Sequence, residues 1–221
     1  MKTLRWALAP FAAFWLLPSC SSQAADFDLV GQEVIRLLQN GHYARMEFDQ
    51  KMSERIFDDY IHDLDPSRIY FVQGDIDEFS TKYRSKVVDL IISKEAISMA
   101  EVIHRRYQER VKERVEAIKA LLKDGKFTFE SDAAIMRDRE EAPWPEDSAA
   151  ANTVVKLQLE AGLLSEQIRR DDIEARAKEQ GKESPLKDEL PAREKLAQRY
   201  ERFLQGIEKA DAEDVANYFL S

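Results

Sequence analysis

Apolar residues return every three or four positions along most of this chain, and charged residues fill the gaps. Val30, Val34, Leu37 and Leu38 follow the i, i+4, i+7, i+8 spacing of one helix face. Asn40-Gly41 ends that helix, because glycine suits the left-handed position beyond a last turn. Met52, Ile56, Tyr60 and Leu64 form a second stripe, with Ser53 or Asp49 as its cap. Asp65-Pro66 stops it, since a residue before proline avoids the helical region. Ile76, Phe79, Tyr83, Val87 and Leu90 predict a third helix. The fourth is the clearest. Ile103, Tyr107, Val111, Val115, Ile118 and Leu122 mark one face of a helix from about Glu95 to Lys123, ended by Asp124-Gly125.

Lys126 to Phe129 alternates polar and aromatic residues and predicts a short extended segment. Further on, Pro143 and Pro145 bracket Trp144. They forbid a regular helix and present the indole at a fixed angle with little entropy left to lose. A fifth helix runs from near Asp147 to about Gln180 and carries Val154, Leu157, Leu163, Leu164 and Ile168. Gly181 to Pro185 is a loop. A sixth helix has Pro191 in its first turn and carries Leu196, Tyr200, Phe203 and Ile207. Asp211 caps a last run whose apolar face is Val215, Tyr218, Phe219 and Leu220. Chains usually end on polar residues, so this turn either docks back onto the core or leads into a longer architecture. No fixed-period repeat supports a solenoid. The expectation is a mainly all-α fold, a multi-helix bundle with long amphipathic helices and one short extended segment near 126–129.

Composition agrees with helices. The 221 residues hold only 7 glycines and 7 prolines, against 34% charged residues. The net charge of −9 argues against nucleic acid, which needs a concentrated basic face. Arg105-Arg106 and Arg169-Arg170 are each followed by acids and read as solvated, ion-paired helix faces.

The N-terminus changes the picture more. Lys2 and Arg5 precede an apolar stretch, Trp6 to Leu17, that is too short to span a bilayer and reads as a signal peptide. Leu17-Pro18-Ser19-Cys20 resembles a lipobox, in which the cysteine is lipidated and becomes the first mature residue. Cys20 is the one cysteine of the chain, so no internal disulfide can form. The expected division is a leader at 1–19 (1–24 if ordinary signal peptidase cuts), a tether at 20–26 and a helical domain at 27–221. Removing 1–19 leaves 31 basic against 42 acidic residues, a balance of −11. The expected location is the periplasm, with a membrane contact through an N-terminal lipid at Cys20.

Catalytic signals are weak. There is no Gly-x-Ser-x-Gly elbow and no phosphate-binding glycine loop. Ser80 with Lys82, and Ser85 with Lys86, sit on a charged helix. His42, His62 and His104 lie far apart without a cysteine partner. Asp75-Ile76-Asp77 begins like a calcium loop but lacks its glycine and closing glutamate, so Asp75 is expected to be a helix N-cap. Glu140 and Glu141 are expected in solvent or paired with Arg137 and Arg139. No metal, cofactor or small-molecule substrate is implied.

Five motifs in order carry a resemblance. They are Asn40-Gly41-His42-Tyr43; Ser53-Glu54-Arg55-Ile56-Phe57-Asp58-Asp59-Tyr60; Leu64-Asp65-Pro66-Ser67-Arg68-Ile69-Tyr70-Phe71; Asp75-Ile76-Asp77-Glu78-Phe79; and Asp138-Arg139-Glu140-Glu141-Ala142-Pro143-Trp144. The set resembles the N-terminal helical domain of bacterial tail-specific proteases, also called carboxy-terminal processing peptidases. The resemblance covers about residues 27 to 220. It implies exported serine peptidases that bind unstructured tails through a PDZ domain and cut with a serine–lysine dyad in a following domain. No residue of this chain matches the dyad or the PDZ carboxylate loop, so no catalytic residue is carried over. It further implies a scaffold or docking role, with the rest of a protease or a protease adaptor as partner. Trp144, with Pro143 and Arg139, would then be a helix clasp or a docking hot spot. The alternative is a stand-alone periplasmic helical lipoprotein that binds a protease, an adaptor or envelope proteins.

Overall fold

The long fourth stripe becomes the axis of the molecule. The computed structural model describes residues 26–41, 48–125, 127 and 139–221. Among them are eight α-helices and no strand: α1 (Phe27–Gly41), α2 (Gln50–Leu64), α3 (Gln73–Phe79), α4 (Val87–Ser93), α5 (Ala96–Asp124), α6 (Ser148–Glu179), α7 (Ala192–Glu208) and α8 (Ala212–Leu220). The extended segment expected near 126–129 lies outside the described residues except for Phe127. At 29 residues, α5 is about 44 Å long. It touches α1, α4, α6, α7 and α8. Ile103, Val111, Val115 and Ile118 on it are fully excluded from water. Burial of each such side chain contributes about 1.5–3 kcal/mol.

Around this axis the helices are set by local chemistry. Asp49, not Ser53, caps α2: its carboxylate accepts the Met52 N–H at 3.0 Å. Ser53 is buried, and its hydroxyl accepts the Val88 N–H at 3.1 Å, tying α2 to α4. The third stripe is not one helix. α3 passes into a π-helical turn at Ser80–Arg84, and α4 starts afresh at Val87. The wider turn rephases the helix, so that Phe79 and Val87 are both buried.

Two stripes are turned from their expected faces. Val30, Val34 and Leu37 of α1 are 45%, 46% and 63% exposed, whereas Gly31 and Ile35 are buried. Gly31 permits the contact, because a Cβ there would lie 3.1 Å from the Ile91 side chain. On α6, Leu163 is buried and Val154 packs against the core as expected, and Val155 and Leu159 join them, while Leu164 and Ile168 face water. At the C-terminus the apolar turn docks back. Asp211 and Asp214 cap α8 reciprocally. Val215 and Ala216 are buried, and Phe219 meets Tyr60 edge-on at 5.2 Å.

Candidate functional site

The chemistry concentrates where α2 ends. Asp65 is 1% exposed, and its carboxylate accepts three backbone N–H groups: Ile69 at 3.1 Å, Tyr70 at 2.8 Å and Phe71 at 3.0 Å. These bonds wind residues 65–71 into a tight loop with Arg68 at φ +48°. Burial nevertheless pushes the Asp65 carboxyl above its ordinary range, against the loop N–H groups and the nearby Arg114 cation. Arg114 of α5 is also 1% exposed. Its Nε donates to the Ile69 carbonyl at 3.2 Å, and its Nη1 to the Ser148 carbonyl at 3.0 Å and to the Asn152 side chain. Its Nη2 is buried with no partner among the described residues. One guanidinium therefore ties α5, the 65–71 loop and the start of α6 together.

The proline-bracketed segment lies across that loop. Arg139 Nε donates to the Ser67 carbonyl at 3.1 Å. Arg68 Nη1 donates to the Ala142 carbonyl at 2.6 Å, and its guanidinium stands 5.2 Å from the centre of the Trp144 ring. Trp144 is half-buried, edge-on to Phe71 at 6.2 Å. The Gln73 N–H donates to the Pro145 carbonyl at 2.8 Å. Pro145 is buried, whereas Pro143, Glu140 and Glu141 face outward. Arg137 and Asp138 lie outside the described residues, as do Cys20 and His42.

Asp75 is not the N-cap; Val72 is. Asp75 is 2% exposed and reaches across to α5, accepting Arg106 Nη1 at 2.6 Å and Arg110 Nε at 2.8 Å. Burial alone would raise its carboxyl, but the hydrogen bonds from Arg110 and Arg106 outweigh it and hold it below the ordinary range. Arg106 is thus an inter-helix tie rather than part of a solvated face.

On the far side of the 65–71 loop an open cleft of about 450 Å³ lies between that loop, α5, α7 and α8. Tyr70 floors it, stacked on Phe203 at 5.7 Å and edge-on to Tyr107 at 5.6 Å. Tyr218 Oη closes one end by donating to the Asp63 carbonyl at 2.5 Å. Burial pushes the Tyr70 and Tyr107 phenols up and the His104 imidazole down, so all three are neutral near pH 7. The cleft suits apolar or aromatic side chains. Among the described residues no group of three or more His, Cys, Asp or Glu could hold a metal. Lys82 pairs with Glu78 at 2.6 Å, so the Ser80–Lys82 neighbourhood is an ion-paired surface.

The family model described as the tail specific protease N-terminal domain matches residues 34–221. The chain belongs to that family. It is also similar to a tail-specific protease of Haemophilus influenzae, 28% identical over 205 residues, which are 93% of this chain and 26% of that protein. The chain therefore spans about a quarter of that relative. The loop, the strap at 139–145 and the Asp75 tie coincide with three of the five motifs that carried the resemblance. In this tail-specific protease domain those motifs meet in one corner. Sequence reasoning missed Arg114, although the signal was there: it stands three residues after Val111 and four before Ile118, on the apolar face of α5.

Proposed function

We propose that this chain is the non-catalytic N-terminal scaffold and docking domain of an exported tail-specific serine protease, with the peptidase chemistry carried by the other three-quarters of such a protein. The observation that carries the reading is the family match over 34–221 together with the small share of the Haemophilus influenzae relative that it spans. The geometry supports it. The ion pairs and hydrogen bonds of the corner go into tying helices together, and the cleft beside α8 offers an aromatic contact surface. Assaying the purified chain on an unfolded protein substrate tests this, with no cleavage expected. Cleavage that is lost on denaturing the chain, and kept after removal of contaminating proteases, would sink the reading.

Export, and lipidation at Cys20, belong to the same proposal. They rest on the leader pattern at residues 1–19. Among the described residues no helix is long and apolar enough to cross a membrane. A second reading, a stand-alone periplasmic lipoprotein, is favoured by the way α8 closes onto Tyr60 and leaves a self-contained core. Intact mass and immunoblotting of the native product separate the two. A product near 25.6 kDa favours the second, and one several times larger the first.

A further inference from the structure

We propose that the outward face of α1 rests on a lipid bilayer, as a second contact beside the N-terminal lipid. This rests on the reading of Cys20 as the lipidated residue. α1 has more apolar surface than its packing uses. Gly31 and Ile35 face the core, yet Leu29, Val30, Val34 and Leu37 remain 45%, 45%, 46% and 63% exposed. Val30, Val34 and Leu37 stand at i, i+4 and i+7 and so share one face, with Leu29 beside it. Glu33 interrupts this face but is ion-paired to Arg36 at 2.6 Å, a neutral pair that suits a headgroup layer.

The tether names the occupant. Only residues 21–25 separate Cys20 from Asp26, where the described chain begins. Fully extended, that connection spans about 20 Å. The 15-residue α1 is itself about 22 Å long. A chain anchored at Cys20 therefore cannot carry this helix far from the bilayer, and its exposed apolar face can reach the lipid without the anchor leaving it. The balance of −11 left without residues 1–19 provides no attraction to anionic headgroups. The contact is thus apolar, suited to neutral lipids and indifferent to salt.

The test uses the mature chain from Cys20, coupled through that sole cysteine to a maleimide-headgroup lipid in phosphatidylethanolamine–phosphatidylcholine vesicles. Trp6 and Trp15 belong to the leader, so Trp144 is the only background indole. Leu37→Trp reports on the face, and Ile168→Trp, at a position 60% exposed on α6, is the control. With nitroxide lipids, the indole introduced at 37 should be quenched several-fold more than the one at 168, equally in low and molar salt. Adding Val34→Glu should remove the difference while the helical circular dichroism stays unchanged. Equal quenching at the two sites overturns the proposal, as does a blue shift at 37 that needs no lipid and grows with protein concentration, which marks self-association. Intact mass of the native chain tests the anchor separately. A Cys20 without acyl chains overturns the lipoprotein reading and this proposal together; an acylated Cys20 with equal quenching overturns this proposal alone.

Discussion

Two ion networks in this molecule are built from the same side chains and do different work. At the α3–α5 corner, Asp75 is held by Arg106 and Arg110 and is 2% exposed. On the α6–α7 side, Glu166 is held by Arg169 at 2.7 Å and Arg170 at 3.1 Å, and Glu189 joins them with Lys195. Both link stretches far apart in sequence. The distances are alike, but water is not: the Arg169 and Lys195 side chains are 39% and 46% exposed. In the corner, removing one partner strands a charge away from solvent. On the surface, water takes the partner's place. Burial, rather than the number of bonds drawn, decides the weight of each network.

The largest test of this contrast is Arg114→Ala. It strips three hydrogen bonds, among them those to the Ile69 and Ser148 carbonyls, next to the buried Asp65. Breaking a buried charged tie typically costs about 3–5 kcal/mol, and urea denaturation should show a loss in that range. Arg114→Met, which fills the same space without a charge, should recover part of it. A loss below about 1 kcal/mol for the alanine variant would remove the corner's special standing.

Asp75→Asn comes next. It keeps the shape but withdraws the charge that Arg106 and Arg110 share, for an expected loss of about 2–3 kcal/mol. The carboxyl is held below its ordinary range. Its contribution is therefore complete above the unfolded-state value of 3.8 and is lost as pH falls through the lower folded value. The difference between wild type and variant should thus be flat from pH 5 to 7 and shrink only below about pH 4.

The contrast also explains what could be read in the sequence. All six residues assigned to the face of α5 are buried, because neighbours on several sides leave that stripe one way to turn. On α1 the periodicity was equally regular and the face was wrong. Two apolar faces coexist there, and tertiary contacts choose between them: Gly31 against Ile91, Gln32 donating to the Ile92 carbonyl and Asp28 accepting the Ile97 N–H. Periodicity also could not show the π-helical turn at Ser80–Arg84, which keeps apolar spacing while rephasing the helix. The corner was legible as a set of motifs but not as a place. Asp65 and Arg114 are 49 positions apart, and Asp75 was mistaken for a cap because its tie to α5 is tertiary. Trp144 stood out for its prolines, and its neighbours Arg68 and Phe71 became visible only once the loop was folded.

Trp144 tests the middle of the scale. It is half-buried, so Trp144→Ala should cost about 2 kcal/mol, short of the 3–5 of a core aromatic. Arg139→Ala, which removes one exposed bond to Ser67, should cost less than about 1 kcal/mol. If Trp144 acts as a clasp, the stability loss will be accompanied by faster amide exchange in residues 67–73. If it acts as a docking hot spot, stability will hold and binding to the rest of the protease will fall.

Glu166→Gln should have the smallest effect. Hydrogen bonds from Arg169 and Arg170 bring the Glu166 carboxyl from 4.5 down to about 2. Taken at face value that shift corresponds to about 3 kcal/mol. Arg169 and Lys195 are 39% and 46% exposed, although Arg170 and Glu166 are 16% exposed, so much of it is screened, and we expect about 1 kcal/mol or less in denaturation experiments. The sign is that of a lowered carboxyl: the contribution is full above pH 4.5 and fades as pH falls toward about 2. Salt separates the two networks most sharply. In molar salt the Glu166→Gln difference should vanish, whereas that of Asp75→Asn should persist, because ions screen exposed pairs and cannot reach a carboxylate at 2% exposure. If both differences collapse together, the corner is as wet as the surface, and burial does not set the two networks apart.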